Sequence, residues 1–538
     1  MPAESLIGHM WPELILLIAS FGALFLGLAG SESARQWVSP LTCAAVVLAL
    51  LVTLLGAGAS QDVMGFGLRI GPLTHYVRVI TLGIGTLIVL VNWHQPVAGE
   101  RGEYMAMILY SLLGVLLTAS ANDMVVLFFA IELVSVPTYV LVALSRTDQR
   151  ASEAAVKYFF LGALAAAILA YGLSFLYGVA GTTRLHTPSA GAVLAGASAA
   201  TDVGAYFLIG MLLVIAGLAF KIAAVPLHVY AADVYEGAAS PITGMLAFVP
   251  KLAGFVALIK VFSACAWALP PSLMWVLWLM AAATMTVGNV LALLQHNVKR
   301  MLAYSSIAHS GYMLIALLVG PIAGEGPMKD GVAALLFYIG VYGAMNLGVF
   351  ALLSAFKSAD REIETLDDLS GLAVRAPLAA FALAVCVFSL MGFPPTAGFL
   401  GKLYIFSSAF SLPSTHAFQG PLVALAIIGV VNSAIAAAYY LRIVSAVYMG
   451  AEIEPVAPVA RRPVRLCLAL CAVPMLLLFI WPAALASPAR HATRDIHPAA
   501  NLTIPAVAKT DETVPRATGP HKTAPVLSSL LPGSPDAQ

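Results

Sequence analysis

The chain has 538 residues, 61% of them hydrophobic and only 10% charged, with a mean hydropathy of +0.93. That composition excludes a soluble globular protein and predicts an all-α polytopic membrane protein in a lipid bilayer. The net charge of +1 leaves no basic footprint for nucleic acid. Five cysteines (43, 265, 386, 467, 471) form no C-x-x-C pair, and there is no Walker loop or dinucleotide fingerprint. No metal or cofactor is therefore expected in this chain. The opening MPAESLIGHMWPEL lacks a basic n-region, so no cleaved signal is expected.

In chain order, apolar runs long enough to cross a bilayer predict about fourteen spans. They cover 12–29, 40–58, 73–92, 103–120, 122–145, 154–178, 204–236, 240–264, 272–294, 301–320, 332–357, 376–411, 421–448 and 464–486. Basic residues collect in one set of loops: Arg35, Arg101, Arg146, Arg150, Lys157, Lys299, Arg300, Lys357, Arg361, Arg375, Arg442, Arg461, Arg462 and Arg465. Those loops are expected in the cytoplasm. Both termini then face the periplasm of a bacterial inner membrane. Residues 487–538, with scattered charge and many prolines, are expected to form a disordered periplasmic tail.

Spans seven and twelve are interrupted. In GLAFKIAAVPLHVYAADVYEG (217–237) Lys221 precedes Pro226, and in SLMGFPPTAGFLGKLYIF (389–406) Pro394 and Pro395 precede Lys402. Pro250 is expected to break the eighth span as well. Freed carbonyls and buried ammonium groups are tolerated in a membrane only against protein or water. The two breaks are five spans apart, an odd number, so the two helices enter from opposite sides. This predicts two five-helix units related by an inverted repeat. The divisions are 1–102 (helices 1–3), 103–264 (helices 4–8), 265–448 (helices 9–13), 449–486 (helix 14) and the tail.

Four charges fall in mid-span: Glu132, Lys221, Lys251 and Lys402. Each would cost about 2.5–3.5 kcal/mol unpaired. Burial favours a neutral amine and a nearby carboxylate favours the ammonium. Moving Glu132 relative to Lys221 would therefore switch the lysine between forms, as a proton relay requires. The blander role for Lys221 is a helix C-cap on freed carbonyls, and for Glu132 a structural ion pair. His228, after the first break, could extend the path toward the cytoplasm, and His309 lies among hydroxyls in AYSSIAHSGYML. Either could equally be a satisfied core histidine. Lys157 and Arg442 lie near cytoplasmic ends, where topology explains them. Asp233 and Glu236 are expected to cap helices or to guide protons, capping being the blander role, and DREIETLDDL (360–369) to form a solvated loop.

The segments 153–183, 220–255, 288–314 and 392–406 resemble the N-type subunit of bacterial proton-pumping NADH:quinone oxidoreductase, complex I, over roughly residues 10–485. The resemblance implies a fourteen-helix antiporter-like fold with broken helices 7 and 12. It implies that Glu132, Lys221, Lys251 and Lys402 form the proton path. It also implies translocation driven by quinone reduction elsewhere, with flavin, iron–sulfur clusters and quinone in partner subunits. The expected partners are other membrane subunits of that complex, including a neighbouring antiporter-like subunit. The L-type subunit has a lateral helix that the tail here lacks, and the M-type has a glutamate where this chain has Lys402. Two alternatives stay open: a subunit of a multisubunit cation/proton antiporter or membrane-bound hydrogenase, and a non-conducting membrane scaffold.

Overall fold

A computed structural model describes residues 8–494 and Ile496, except 30, 57–62, 95–99, 188–190, 196–203, 323–326, 359–360, 415, 451–455 and 459–461. The long helices run in the order α1 (Trp11–Gly27), α2 (Val38–Leu55), α3 (Pro72–Val91), α4 (Arg101–Ser120), α5 (Met124–Ser145) and α6 (Gln149–Ala180). The first broken span follows as α7a (Gly204–Lys221) and α7b (Ala231–Gly237). Then come α8 (Ser240–Ala264), α9 (Pro271–Leu293), α10 (Val298–Val319) and α11 (Gly331–Ala355). The second broken span is α12a (Pro377–Met391) and α12b (Ala397–Ser408), followed by α13 (Gln419–Met449), α14 (Arg462–Ile480) and α15 (Ala483–Ala492).

Local chemistry sets several of the ends. Asp123, Asp148, Asn297 and Asp330 each precede a helix and accept a hydrogen bond from its first-turn N–H groups. These are the short polar acceptors that an N-terminus favours. Short antiparallel strands join the helices outside the apolar spans. The strand β1 (Val63–Gly65) pairs with β2 (Leu68–Ile70), and β3 (His186–Thr187) with β4 (Gly191–Ala192). A three-stranded patch has the order β6 (Arg361–Glu362), β5 (Phe356–Ser358), β7 (Val456–Pro458), with Lys357 opposite both Glu362 and Ala457.

Among the described residues, twelve helices are long and apolar enough to cross a membrane. The helices α1, of 17 residues, and α12a, of 15, are apolar but shorter. Every residue of α8 is buried, and nearly every residue of α11, so these two form the core. The other helices turn side chains such as Phe25, Phe160 and Leu279 outward. The neighbour pattern repeats along the chain. Within α4–α8, α4 packs on α5, α5 on α6, α6 on both halves of α7, and α8 on α4, α5 and α7. Each of these pairs has its counterpart five helices later, within α9–α13.

Four expectations need correction. Pro250 does not break α8, which runs continuously from Ser240 to Ala264. One proline removes one N–H, and the protein packed all round the helix lets it continue past the missing bond. The segment expected to be disordered from 487 begins in a helix. The helix α15 runs to Ala492, and Ala489, Ala492 and Ile496 are buried, because α15 packs on α3 and α11. Residues 499–538 lie outside the described residues.

The run 360–369 is not a solvated loop. Glu362 lies 3.5 Å from Lys299 and Glu364 lies 3.1 Å from Arg146, while Ile363 and Leu369 are buried. Asp233 and Glu236 cap no helix through their side chains. Both meet Arg300, at 2.9 and 2.6 Å, and Asp233 also meets Lys157 at 3.0 Å. Four opposite charges brought this close satisfy each other better than a helix end would.

Candidate functional site

The four mid-span charges lie on four different helices and share one buried polar row. Lys221 ends α7a, and its Nζ donates to Glu132 Oε1 of α5 at 2.9 Å and to Ser135 Oγ at 2.7 Å. Glu132 and Ser135 are three residues apart, so both face the same side of α5. The lysine is almost fully buried, and the glutamate is about one-fifth exposed. Lys221 therefore does not cap its own helix. That task falls to Ser310 of α10, which donates to the Ile222 carbonyl at 2.6 Å.

Lys251 lies at mid-height in α8 and is 1% exposed. Its ammonium donates to the Ser306 carbonyl of α10 and sits 5.7 Å from the Tyr342 ring. The Ser306 hydroxyl pairs with Tyr342 at 2.7 Å and with Tyr235 at 3.1 Å, and Asn346 donates to Tyr342. His309 follows one turn along α10 and is fully enclosed. Its Nδ1 meets the Tyr338 hydroxyl at 2.5 Å and its Nε2 the Tyr440 hydroxyl at 2.9 Å. Tyr440 in turn bonds to Ser305.

Lys402 belongs to α12b but reaches back across the break. Its Nζ donates to the Met391 carbonyl at the end of α12a, at 2.8 Å, and to Ser433 of α13, at 2.9 Å. It also sits 5.1 Å from the Tyr312 ring. The C-cap weighed as the blander role for Lys221 is thus made by Lys402. Both ammonium groups nonetheless lie at the C-terminal end of a first half-helix, where the helix dipole favours positive charge. The prolines point the other way: Pro226, Pro394 and Pro395 are exposed on the outside of the bundle while the lysines point inward.

His228 is set apart from this row. It is half-buried in the turn between α7a and α7b, and its Nδ1 is buried with no hydrogen-bond partner among the described residues. The sequence reading did not single out Ser135, Tyr338, Tyr342, Tyr440 or Ser433. A signal existed for two of them. Tyr338, Tyr342 and Asn346 recur every four residues and put a polar stripe on one face of the otherwise apolar α11. No cluster of three or more metal-ligating side chains occurs among the described residues.

Around α7b and the start of α10 lies a band of ion pairs. Arg300 bridges Asp233 and Glu236, and Lys157 holds Asp233. Lys299, fully buried, donates to the Ala238 carbonyl at 2.8 Å and lies beside Glu362. Glu362 also accepts from the Ser240 N–H and hydroxyl at the start of α8.

This arrangement, a helical membrane bundle with two interrupted spans and an internal row of lysines, defines an antiporter-like membrane subunit. Residues 121–436 match the family described as NADH:quinone oxidoreductase/Mrp antiporter, transmembrane. The chain is 36% identical over 487 residues to NADH-quinone oxidoreductase subunit N of Rhodospirillum rubrum, covering 90% of this chain and 96% of that one. It is 36% identical over 507 residues to subunit N of Methylobacterium nodulans, covering 92% and 98%. The chain belongs to the family of NADH-quinone oxidoreductase subunit N. Among solved structures it is similar to a chain of respiratory complex I from Thermus thermophilus with bound aureothin, with TM-score 0.73, 30% identity, and 88% and 98% of the two chains covered. A chain of the Mrp complex from Dietzia shares the fold, with TM-score 0.75, 20% identity, and 90% and 97% covered.

Proposed function

We propose that this chain translocates protons as a membrane-arm subunit of a respiratory NADH:quinone oxidoreductase in a bacterial inner membrane. Redox chemistry belongs to partner subunits that carry flavin, iron–sulfur clusters and quinone; this chain supplies the path. The reading takes fourteen spans, both termini periplasmic, and two five-helix units inverted relative to each other. The repeated neighbour pattern and the two broken spans, five apart, support it.

One observation carries the proposal. Three buried lysines and a histidine lie among hydroxyls and carbonyls, and α10 contributes beside each of them, with Tyr312 of α10 next to Lys402. Ser310 bonds at the first break, Ser306 holds Lys251, and His309 joins the tyrosines that lead toward Lys402. A proton passes along such a row only if each member can both accept and release one. Lys221 is set by Glu132: with the carboxylate close the ammonium is favoured, and with it withdrawn the neutral amine is favoured. Withdrawal of Glu132 therefore pushes a proton from Lys221 toward Lys251. His309 and its tyrosines carry it on to Lys402, which opens toward the periplasm. His228 is the group on the cytoplasmic side of the first break from which Lys221 is refilled.

Lys251 tests this, because it has no carboxylate partner among the described residues and sits in the middle of the row. Lys251→Met keeps much of the apolar volume without a titratable group, and Lys251→Arg keeps the charge but does not release its proton. Both variants should assemble and both should lower protons pumped per quinone reduced, by roughly tenfold or more. The measurement is proton uptake into vesicles alongside quinone reduction on one preparation. Normal pumping by Lys251→Arg would make Lys251 a fixed countercharge and defeat the relay.

A further inference from the structure

A cavity of about 680 Å³ lies apart from the lysine row. It is enclosed by the start of α1, the end of α2, the first half of α3 and the whole length of α15. Its walls are mainly apolar, and its volume falls in the range of pockets that enclose an organic ligand. It is far larger than one ion or a few waters need.

Besides the hydroxyls of Thr53 and Tyr76, the polar side chains on the wall are basic. Arg78, His75, His9 and His491 line it, and no carboxylate does among the described residues. Arg78 and His75 are three residues apart on α3 and share a face. Ala484, Leu485, Pro488 and His491 recur at helical spacing, so α15 turns one face to the cavity. Arg78 is 5% exposed, and its Nε donates to Glu13, which stands behind it, at 2.7 Å. Its Nη2 is buried and makes no hydrogen bond among the described residues. A guanidinium has five donors, and leaving a buried one unmet is costly. This corner is thus built to accept an anionic oxygen beside an apolar chamber. Leu54 of α2 lines the cavity and is also half exposed on the outside of the bundle, beside the exposed Leu51 and Leu55.

We propose that this cavity binds one phospholipid, its phosphate held by Arg78 with His75 and His491, and its acyl chains running down α2. The ligand needs an anionic head for the basic wall and an apolar body for the rest of the space. A membrane phospholipid at the end of α2 has both, whereas free phosphate fills only the corner.

The test uses the whole purified complex and a phospholipid carrying a photoreactive acyl chain. In the wild type, illumination should label peptides from α2 and α15. The double variant His75→Gln/His491→Gln keeps the Arg78–Glu13 pair, so assembly should survive. Its labelling should drop about tenfold or more, as expected for losing two charge-assisted hydrogen bonds. Leu485→Trp fills the apolar space without touching the basic corner and should lower labelling to a similar degree. Labelling unchanged in both variants would overturn the proposal. So would suppression of labelling by inorganic phosphate alone, which would make this a free-anion site. A quinone, rather than a phospholipid, recovered from the cavity would overturn it too.

Discussion

Each buried charge is satisfied differently, and the differences decide what each can do. Lys221 has a carboxylate partner, whereas Lys251 and Lys402 rest on carbonyls and hydroxyls alone among the described residues. A charged partner contributes about 1.5–3 kcal/mol, against about 1 kcal/mol for a neutral one. In the proposed relay, Glu132 is therefore the group that biases the first step. Glu132→Gln retains the shape and a hydrogen bond to Lys221 but loses the charge. We expect the complex to assemble and to pump several-fold to tenfold less at matched quinone turnover, a range set by the loss of one charge-assisted bond. Proton uptake per quinone equal to wild type would show the pair to be structural. Glu132 is also the least buried of the four, at 18% exposure, so it is the one best able to move.

The helices work as elements because the breaks are held open by close backbone packing. Gly392 has φ +82°, a left-handed conformation that ends α12a and that glycine tolerates. Gly398 lets α12b fold back on α12a: a Cβ there would clash with the Ser389 carbonyl. Its N–H secures the turn by donating to Ser389 Oγ at 3.1 Å. Gly398→Ala should force the two half-helices apart, costing about 1–3 kcal/mol as overpacking does. It should also stretch the Lys402–Met391 contact that spans the break. The expected result is a lower melting temperature of the purified complex together with weaker pumping. Wild-type stability in Gly398→Ala would mean that the break relaxes without cost. Glycine at such a position is dictated by contact with another segment, and the sequence shows only that a glycine follows two prolines.

At the scale of the molecule, ties between distant segments hold the ends of the bundle. Asp330 caps α11 and accepts from Thr493 at 3.0 Å, so it fastens the segment after α15 to the core. It is fully buried, and burial raises its carboxyl from 3.8 to about 6, against the pull of its hydrogen bonds. Between about pH 4 and 6 the folded state holds a proton that the unfolded state has released. Stability in that window therefore falls as pH rises. Below it the carboxyl is neutral in both states, and above it the buried carboxylate bears its full desolvation cost. A carboxyl raised this far changes stability by about 3 kcal/mol at most across the window. Asp330→Asn keeps an acceptor for the cap and should flatten this part of the curve. The check is melting temperature against pH, from the acid side of the window to neutrality, for both proteins. Parallel curves would show that Asp330 carries none of the dependence.

Composition and hydropathy alone determined that this is a helical membrane protein, because burial in lipid demands long apolar runs whatever the neighbours are. The mid-span charges and prolines pointed to Glu132, Lys221, Lys251 and Lys402, because an ion in such a run has no local reason to be there. Tertiary structure decided how those residues are satisfied. Lys402 crosses its break to Met391, Lys251 uses a serine carbonyl, and Pro250 sits in an unbroken helix because buried packing surrounds it. It also decided that 360–369 is clamped by Lys299 and Arg146, that α15 closes a cavity, and that Arg78 pairs with Glu13 across two spans. Each of these depends on residues distant in the chain, and no local pattern of hydrophobicity or charge encodes which distant segment will arrive.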